Sequence, residues 1–259
     1  MWEVSDAQIG QFVGQHLWPL FRIASFLMVM PVIGTQIVSP RVRLVLALLI
    51  TVVVAPQIKD VPALDPLSWP SLAIVVEQIF VGVAMGFCLL LLFQLFVVAG
   101  QAIAMQMGLG FASMVDPANG ISVAALGQFY LMLVTLLFLS MNGHLVAFEV
   151  IIDSFEVLPI GAGGISQGGW GLIAGRMSWL FAGALMIALP AVTALLLVNI
   201  SFGVMTRAAP QMNIFSIGFP VSVVLGLLFF WIGTADFLPG FQRLTEDTLG
   251  FMRTILDTP

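Results

Sequence analysis

Met105-Gln-Met-Gly-Leu-Gly-Phe-Ala-Ser-Met-Val-Asp-Pro117 separates two long apolar stretches. Gln78 to Val115 carries no charged side chain, and neither does Pro117 to Phe148. The joint holds Gly108, Gly110 and Pro117, which interrupt a helix, yet it keeps Met105, Met107, Leu109, Phe111, Met114 and Val115. A connector facing water would be polar. Irregular apolar backbone at membrane depth is tolerated only where protein buries it or where it lines a cavity. The stretch therefore predicts a helical membrane protein with a gate or plug at this joint.

The composition agrees. The chain of 259 residues is 60% hydrophobic and 8% charged, with a mean hydropathy of +1.12. Soluble domains carry about 25% charged residues. The net charge of −5 comes from 13 acids against 8 bases, and no basic run offers a surface to nucleic acid. Cys88 is the single cysteine and lies in an apolar run, so it reads as a small buried hydrophobe. Residues 1 to 8 are acidic and lack the basic region of a secretory signal. Ser5 and Gln8 have capping-box spacing, which predicts a helix beginning close by.

Six apolar helical segments are expected, arranged as helical hairpins in an all-α membrane protein. They run from about Asp6 to Met30, Pro40 to Ala55, Pro70 to Met107, Ser122 to Phe155, Trp170 to Thr206, and Ile214 to Ile232, with a more polar tail to Leu256. Crossing hydrocarbon takes ~20 apolar residues. The second segment is marginal and the third and fifth are over-long, so these tilt, kink or project. Lys59 to Pro70 and Leu158 to Gly169 read as external loops, the latter loosened by Gly161, Gly163 and Gly164. Arg207 to Pro220 is a second tight, apolar joint. Arg41, Arg43 and Arg207 against Lys59 and Arg176 weakly favour both ends outside, while Arg243 and Arg253 in the tail oppose this.

No catalytic constellation is legible. His16 and His144 are the only histidines, and neither a zinc-binding helix motif nor a nucleophile elbow occurs. Gly161-Ala-Gly-Gly164 lacks the Lys-Ser/Thr of a phosphate loop. Asn199-Ile-Ser201 matches a glycosylation sequon but sits inside an apolar segment, which discounts it. Charges within apolar segments are more telling, since each costs ~2.5–3.5 kcal/mol at a helix centre. In a pump Arg22, Glu77 and Glu149 would be proton or ion ligands; in an assembly subunit they would pair with partner chains or sit where the helix leaves the lipid. His144 reads as a packed structural histidine, or as one that bonds a neighbouring helix or lines a polar path. With no Asp/Glu/His ladder, the assembly reading is preferred, and Arg22, Glu77, Glu149, His144 and Arg207 are the candidate polar contacts with partner chains or other subunits. Gly82 and Gly86, Gly171 and Gly175, and Gly183 have the spacing of close helix packing.

Several motifs together resemble one family. Gln101-Ala-Ile-Ala-Met105 leading into the 105–117 stretch is similar to the signature of the flagellar biosynthetic FliR family. So are Trp18-Pro-Leu-x-Arg22, Pro40-Arg-Val-Arg-Leu44, Asn142-Gly-His144, Leu158-Pro-Ile-Gly161, Ala188-Leu-Pro190 and Arg207-Ala-Ala-Pro-Gln-Met-Asn-Ile-Phe-Ser-Ile-Gly-Phe-Pro220. They occur in order over nearly the whole chain. The resemblance implies a non-catalytic subunit of the flagellar type III export gate, in the bacterial inner membrane at the flagellar basal body, with no cofactor or metal. It implies FliP and FliQ as assembly partners, FlhB and FlhA as further ones, and unfolded flagellar proteins as substrates. Residues 1–165 would be a FliP-like part and residues 166–259 a FliQ-like hairpin and tail, wound with the partners into a tapered channel.

The same resemblance makes Met105, Met107, Gly108, Leu109, Gly110, Phe111, Met114 and Val115 a loop that plugs the pore, with Asp116 and Pro117 as its joint to the next helix. The physics suits that role. Methionine repacks at little cost, and an apolar constriction excludes ions by dewetting. Two other readings stay open: the equivalent subunit of a virulence injectisome, and a small-solute transporter. The transporter would need a polar midplane site at broken helices, whereas these breaks carry methionine and phenylalanine.

Overall fold

A computed structural model of the chain describes residues 6–58, 61–62, 64, 68–109, 125–209, 211 and 214–258. Among these the secondary structure is entirely helical. The helices are α1 (Asp6–Val29), α2 (Pro40–Val54), α3 (Trp69–Gln106), α4 (Ala125–Ser140), α5 (Gly143–Val157), α6 (Gln167–Ala208), α7 (Ile214–Gly233) and α8 (Phe237–Asp257). Short 3₁₀ turns follow α2 at Ala55–Gln57 and α7 at Thr234–Asp236.

The helix ends follow local chemistry. Ser39 caps α2, its hydroxyl accepting from the Val42 amide, and Pro40 takes the first turn where no amide donor is needed. Gly161, Gly163 and Gly164 all have positive φ, so the loop from α5 to α6 uses backbone that other residues avoid. One expectation fails. The fourth predicted segment is two helices, because Asn142 turns left-handed at φ 57° and Gly143 starts a new helix. Asparagine is one of the few side chains that tolerates this region. The Asn-Gly pair was a turn signal that apolar periodicity masked.

Four helical stretches among the described residues are long and apolar enough to cross a membrane: Pro40–Gln57, Trp69–Gln106, Gln167–Ala208 and Ser216–Asp257. The count rises to five if α4 and α5 form one broken span. The first expected segment is present as α1, which carries Gln15, His16 and Arg22 and is not among these four. α3 is apolar on every face and 72% of its most apolar window is buried, as an all-round hydrophobic helix must be. α6 buries one stripe, including Ile173, Leu180, Ala184, Ala188 and Leu195, and leaves Phe181, Leu185, Met186, Leu197 and Val204 exposed.

The chain forms two compact units, interleaved along the sequence. One comprises residues 1–91, 139–176 and 245–259; the other comprises residues 92–138 and 177–244. In the first, α3 lies against α1 through Gly82 and Gly86. A Cβ on Gly82 would overlap Ser25 Oγ and the Arg22 carbonyl, and one on Gly86 would come within 3.0 Å of the Phe26 carbonyl. Trp18, Ile23, Phe26, Leu27, Met85 and Leu89 fill this core. The amphipathic end of α8 belongs here too, burying Thr245, Thr248, Met252 and Ile255 on one face.

The second unit is held by aromatic side chains. Tyr130 of α4 meets Phe230 of α7 at 5.3 Å and Phe237 of α8 at 5.5 Å. Phe96 of α3 meets Phe237 and Phe241 at 5.3 and 5.6 Å. Such pairs add about 0.5–1.5 kcal/mol each beyond area burial. Gly100 lets α4 approach α3, since a Cβ there would lie 2.8 Å from the Gly127 Cα.

Gly82→Val is expected to destabilise the detergent-solubilised chain by about 3 kcal/mol or more through overpacking. Gly171→Ala and Gly175→Ala, which face open space, should instead be neutral or raise stability by up to ~1 kcal/mol through helix propensity. Thermal unfolding of the three variants measures the contrast.

Candidate functional site

The end of α3 is where the sequence placed its most distinctive side chains. Gly108, at φ 83°, ends the helix in a left-handed cap. Its amide bonds the Met105 carbonyl at 3.1 Å, and the Leu109 amide bonds the Ala104 carbonyl at 3.0 Å. That pair of bonds is a Schellman motif, which satisfies carbonyls a helix end leaves open. Glycine is the residue such a position favours.

Around this cap lies a cavity of about 570 Å³, lined mainly by apolar atoms of Met105, Met107, Gly108, Phe202 and Phe219. The candidate plug residues part company here. Met105 is 71% exposed, Leu109 is half-buried, and Met107 is buried. Met107 lies against Gly226 of α7, where a Cβ would come within 2.7 Å of the thioether Cε. Gly110, Phe111, Met114, Val115, Asp116 and Pro117 lie outside the described residues.

The charges in apolar segments have separate fates. Arg22 is fully buried. Its Nε donates to Gln78 Oε1 at 2.7 Å, Nη1 to the Ser154 carbonyl at 2.9 Å and Ser154 Oγ at 3.1 Å, and Nη2 to the Leu158 carbonyl at 2.9 Å. The guanidinium also lies 4.3 Å from the centre of the Phe155 ring. Within this chain Arg22 is thus buried, with four internal hydrogen bonds. Its charge is compensated by carbonyls at the end of α5, where the helix dipole favours a cation.

Glu77 is half-buried and joins the edge of this network, accepting from Gln78 Nε2 at 3.3 Å. Glu149 is exposed on α5, and Arg207 is exposed in the last turn of α6. His144 is half-buried, edge-on to Phe148 at 6.5 Å, with its Nδ1 buried and without a hydrogen-bond partner among the described residues. These three do not join the Arg22 network.

A second arginine escaped the sequence reading, which used Arg176 only to orient a loop. It is buried within α6 and pairs with Asp247 of α8 at 2.5 Å, near Thr248 Oγ1 and 4.4 Å from the Phe251 ring centre. The amphipathic repeat of the tail was the available signal, since it shows one face of α8 covered by protein. Among the described residues, no three or more His, Cys, Asp or Glu side chains gather as a metal site would require.

Taken together, these features define a helical protein with spans apolar enough for a membrane, whose most specialised local structure is a capped helix end beside an apolar cavity. The chain belongs to the bacterial export proteins, family 1, whose pattern matches residues 13–248. It is similar to the flagellar biosynthetic protein FliR of Escherichia coli K12, with 37% identity over 229 residues, covering 88% of this chain and 87% of that protein. The FliR of Pectobacterium carotovorum is 35% identical over 217 residues, covering 84% and 83%. The FliR of Bacillus subtilis is 25% identical over 248 residues, covering 93% and 95%.

Arg22→Ala is expected to cost at least ~3 kcal/mol, because it strands buried acceptors as well as losing charge-assisted bonds. Arg22→Lys should recover only part of this, since an ammonium cannot span three partners as a planar fork does. Denaturation in mild detergent, followed by tryptophan fluorescence, gives the order.

Proposed function

We propose that the chain is a subunit of the flagellar export apparatus in the bacterial inner membrane, at the flagellar basal body. It forms part of the channel through which unfolded flagellar proteins cross and performs no catalysis of its own. FliP and FliQ are its assembly partners, with FlhB and FlhA as neighbours in the apparatus. In this reading residues 1–165 supply the FliP-like part and residues 166–259 the FliQ-like hairpin and tail. The name shared by relatives that align over more than four-fifths of the chain supports a flagellar role over an injectisome one.

The observation that carries the channel role is the form of the α3 terminus. α3 ends in a glycine cap at the start of the apolar 105–117 stretch, with methionine and phenylalanine around a cavity at the exit. In the proposal Met105, Met107, Gly108, Leu109, Gly110, Phe111, Met114 and Val115 close the pore and give way to an exported chain. Asp116 and Pro117 fix where the next helix starts. Their apolarity keeps ions out by dewetting, and methionine adapts to a moving substrate without a fixed packing partner. Exposed apolar residues on α2 and α6, such as Val45, Leu49, Leu185 and Leu197, suit cover by lipid and by partner chains. Glu77, Glu149, His144 and Arg207 remain as proposed polar contacts between subunits.

Deleting Gly108 to Met114 is expected to make cells carrying the assembled complex leak small ions, measured as loss of membrane potential. Gly108→Ala should reduce secretion, since alanine at φ 83° costs about 1–2 kcal/mol and unsettles the cap. A deletion complex that assembles fully and stays ion-tight would sink the plug assignment.

A further inference from the structure

Asn199, discounted in the sequence as part of a sequon, has a defined place in the fold. Its Nδ2 donates to the Gln106 carbonyl at 3.2 Å, and its Oδ1 accepts from Ser222 Oγ at 3.1 Å. Gln106 is the last residue of α3, so its carbonyl has no partner within the helix. Only one orientation of the amide serves both contacts, because the nitrogen must face the carbonyl and the oxygen must face the hydroxyl. Ser222 is buried. Ser201, the other polar residue of the sequon, uses its hydroxyl on the Leu197 carbonyl at 2.8 Å.

The surroundings share this arrangement. Phe219, Ser222 and Gly226 fall at three- and four-residue spacing, on one face of α7. All three meet the end of α3: Phe219 against Gly108, Ser222 through Asn199, and Gly226 beneath Met107. Two of these contacts are apolar and can slide. The amide–carbonyl contact is directional, and losing it leaves a polar carbonyl facing apolar side chains.

We propose that Asn199 and Ser222 form a polar clip that sets the register of the α3 terminus on α7. The clip decides where Met105 and Met107 stand at the cavity, so both are positioning residues for export. The consequence for export rests on the plug reading above; the clip itself does not.

The test uses the full chain in cells with its partner subunits. In a Cys88→Ser background, Met107→Cys with Gly226→Cys places two thiols at the α3–α7 contact, and mild oxidation reads their proximity. The expected result is efficient cross-linking that falls several-fold with Asn199→Asp, which keeps the side-chain shape but opposes an oxygen to the Gln106 carbonyl. Ser222→Ala should lower the yield less, and Ser222→Thr, which keeps the hydroxyl, should restore it. Without the paired cysteines, secretion should fall in the same order at equal amounts of assembled subunit.

Unchanged cross-linking in Asn199→Asp overturns the clip. Reduced cross-linking with full secretion overturns its positioning role. If Asn199→Asp fails to accumulate, the contrast between Ser222→Ala and Ser222→Thr decides, and equal yields from those two overturn the proposal. An ion-tight deletion of Gly108 to Met114 together with a secretion defect in Asn199→Asp would discard the plug and leave the clip standing.

Discussion

A guanidinium sealed from water governs much of how the first unit is built. Desolvating such a cation costs several kcal/mol even after relaxation, so Arg22 constrains everything around it. Its partners come from two other helices: Gln78 of α3, and Ser154 with Leu158 at the end of α5. The α5 terminus supplies carbonyls and the negative end of a helix dipole without a second buried charge. Reaching Gln78 requires α1 and α3 backbones to approach closely. Gly82 and Gly86 sit one and two turns along from Gln78 on that face, and allow it. The glycine stripe and the arginine are thus parts of one arrangement.

The second unit solves a different problem with weaker forces. Its helices meet through aromatic edges and faces around Phe96, Tyr130, Phe230 and Phe237. Such packing gives cohesion but permits small slides. The end of α3 carries directional contacts as well, in a Schellman cap and the hydrogen bond from Asn199 to the Gln106 carbonyl.

Much of this was legible in the residues. Helix limits at Pro40, Gln106 and Ile214 lie within a residue or so of the sequence reading, because prolines, glycines and apolar runs act locally. The close packing expected of Gly82 and Gly86 is present, yet Gly171 and Gly175, with identical spacing, face open space. Spacing shows that a helix can approach another, not that one is there. The break at Asn142 was masked because apolar periodicity continues on both sides of one left-handed residue.

The sequence by itself determined the helical, membrane-suited character of the chain, its family, and the position of the glycine-capped break after α3. Each of these is written in composition or in neighbours a few residues apart. Only the tertiary structure decided where the polar groups go. Arg22 finds Ser154 across 132 positions, Arg176 finds Asp247 across 71, and Asn199 finds Gln106 across 93. A charge in an apolar segment announces that it needs a partner; which partner satisfies it depends on helix faces brought together by packing, and no local pattern records that.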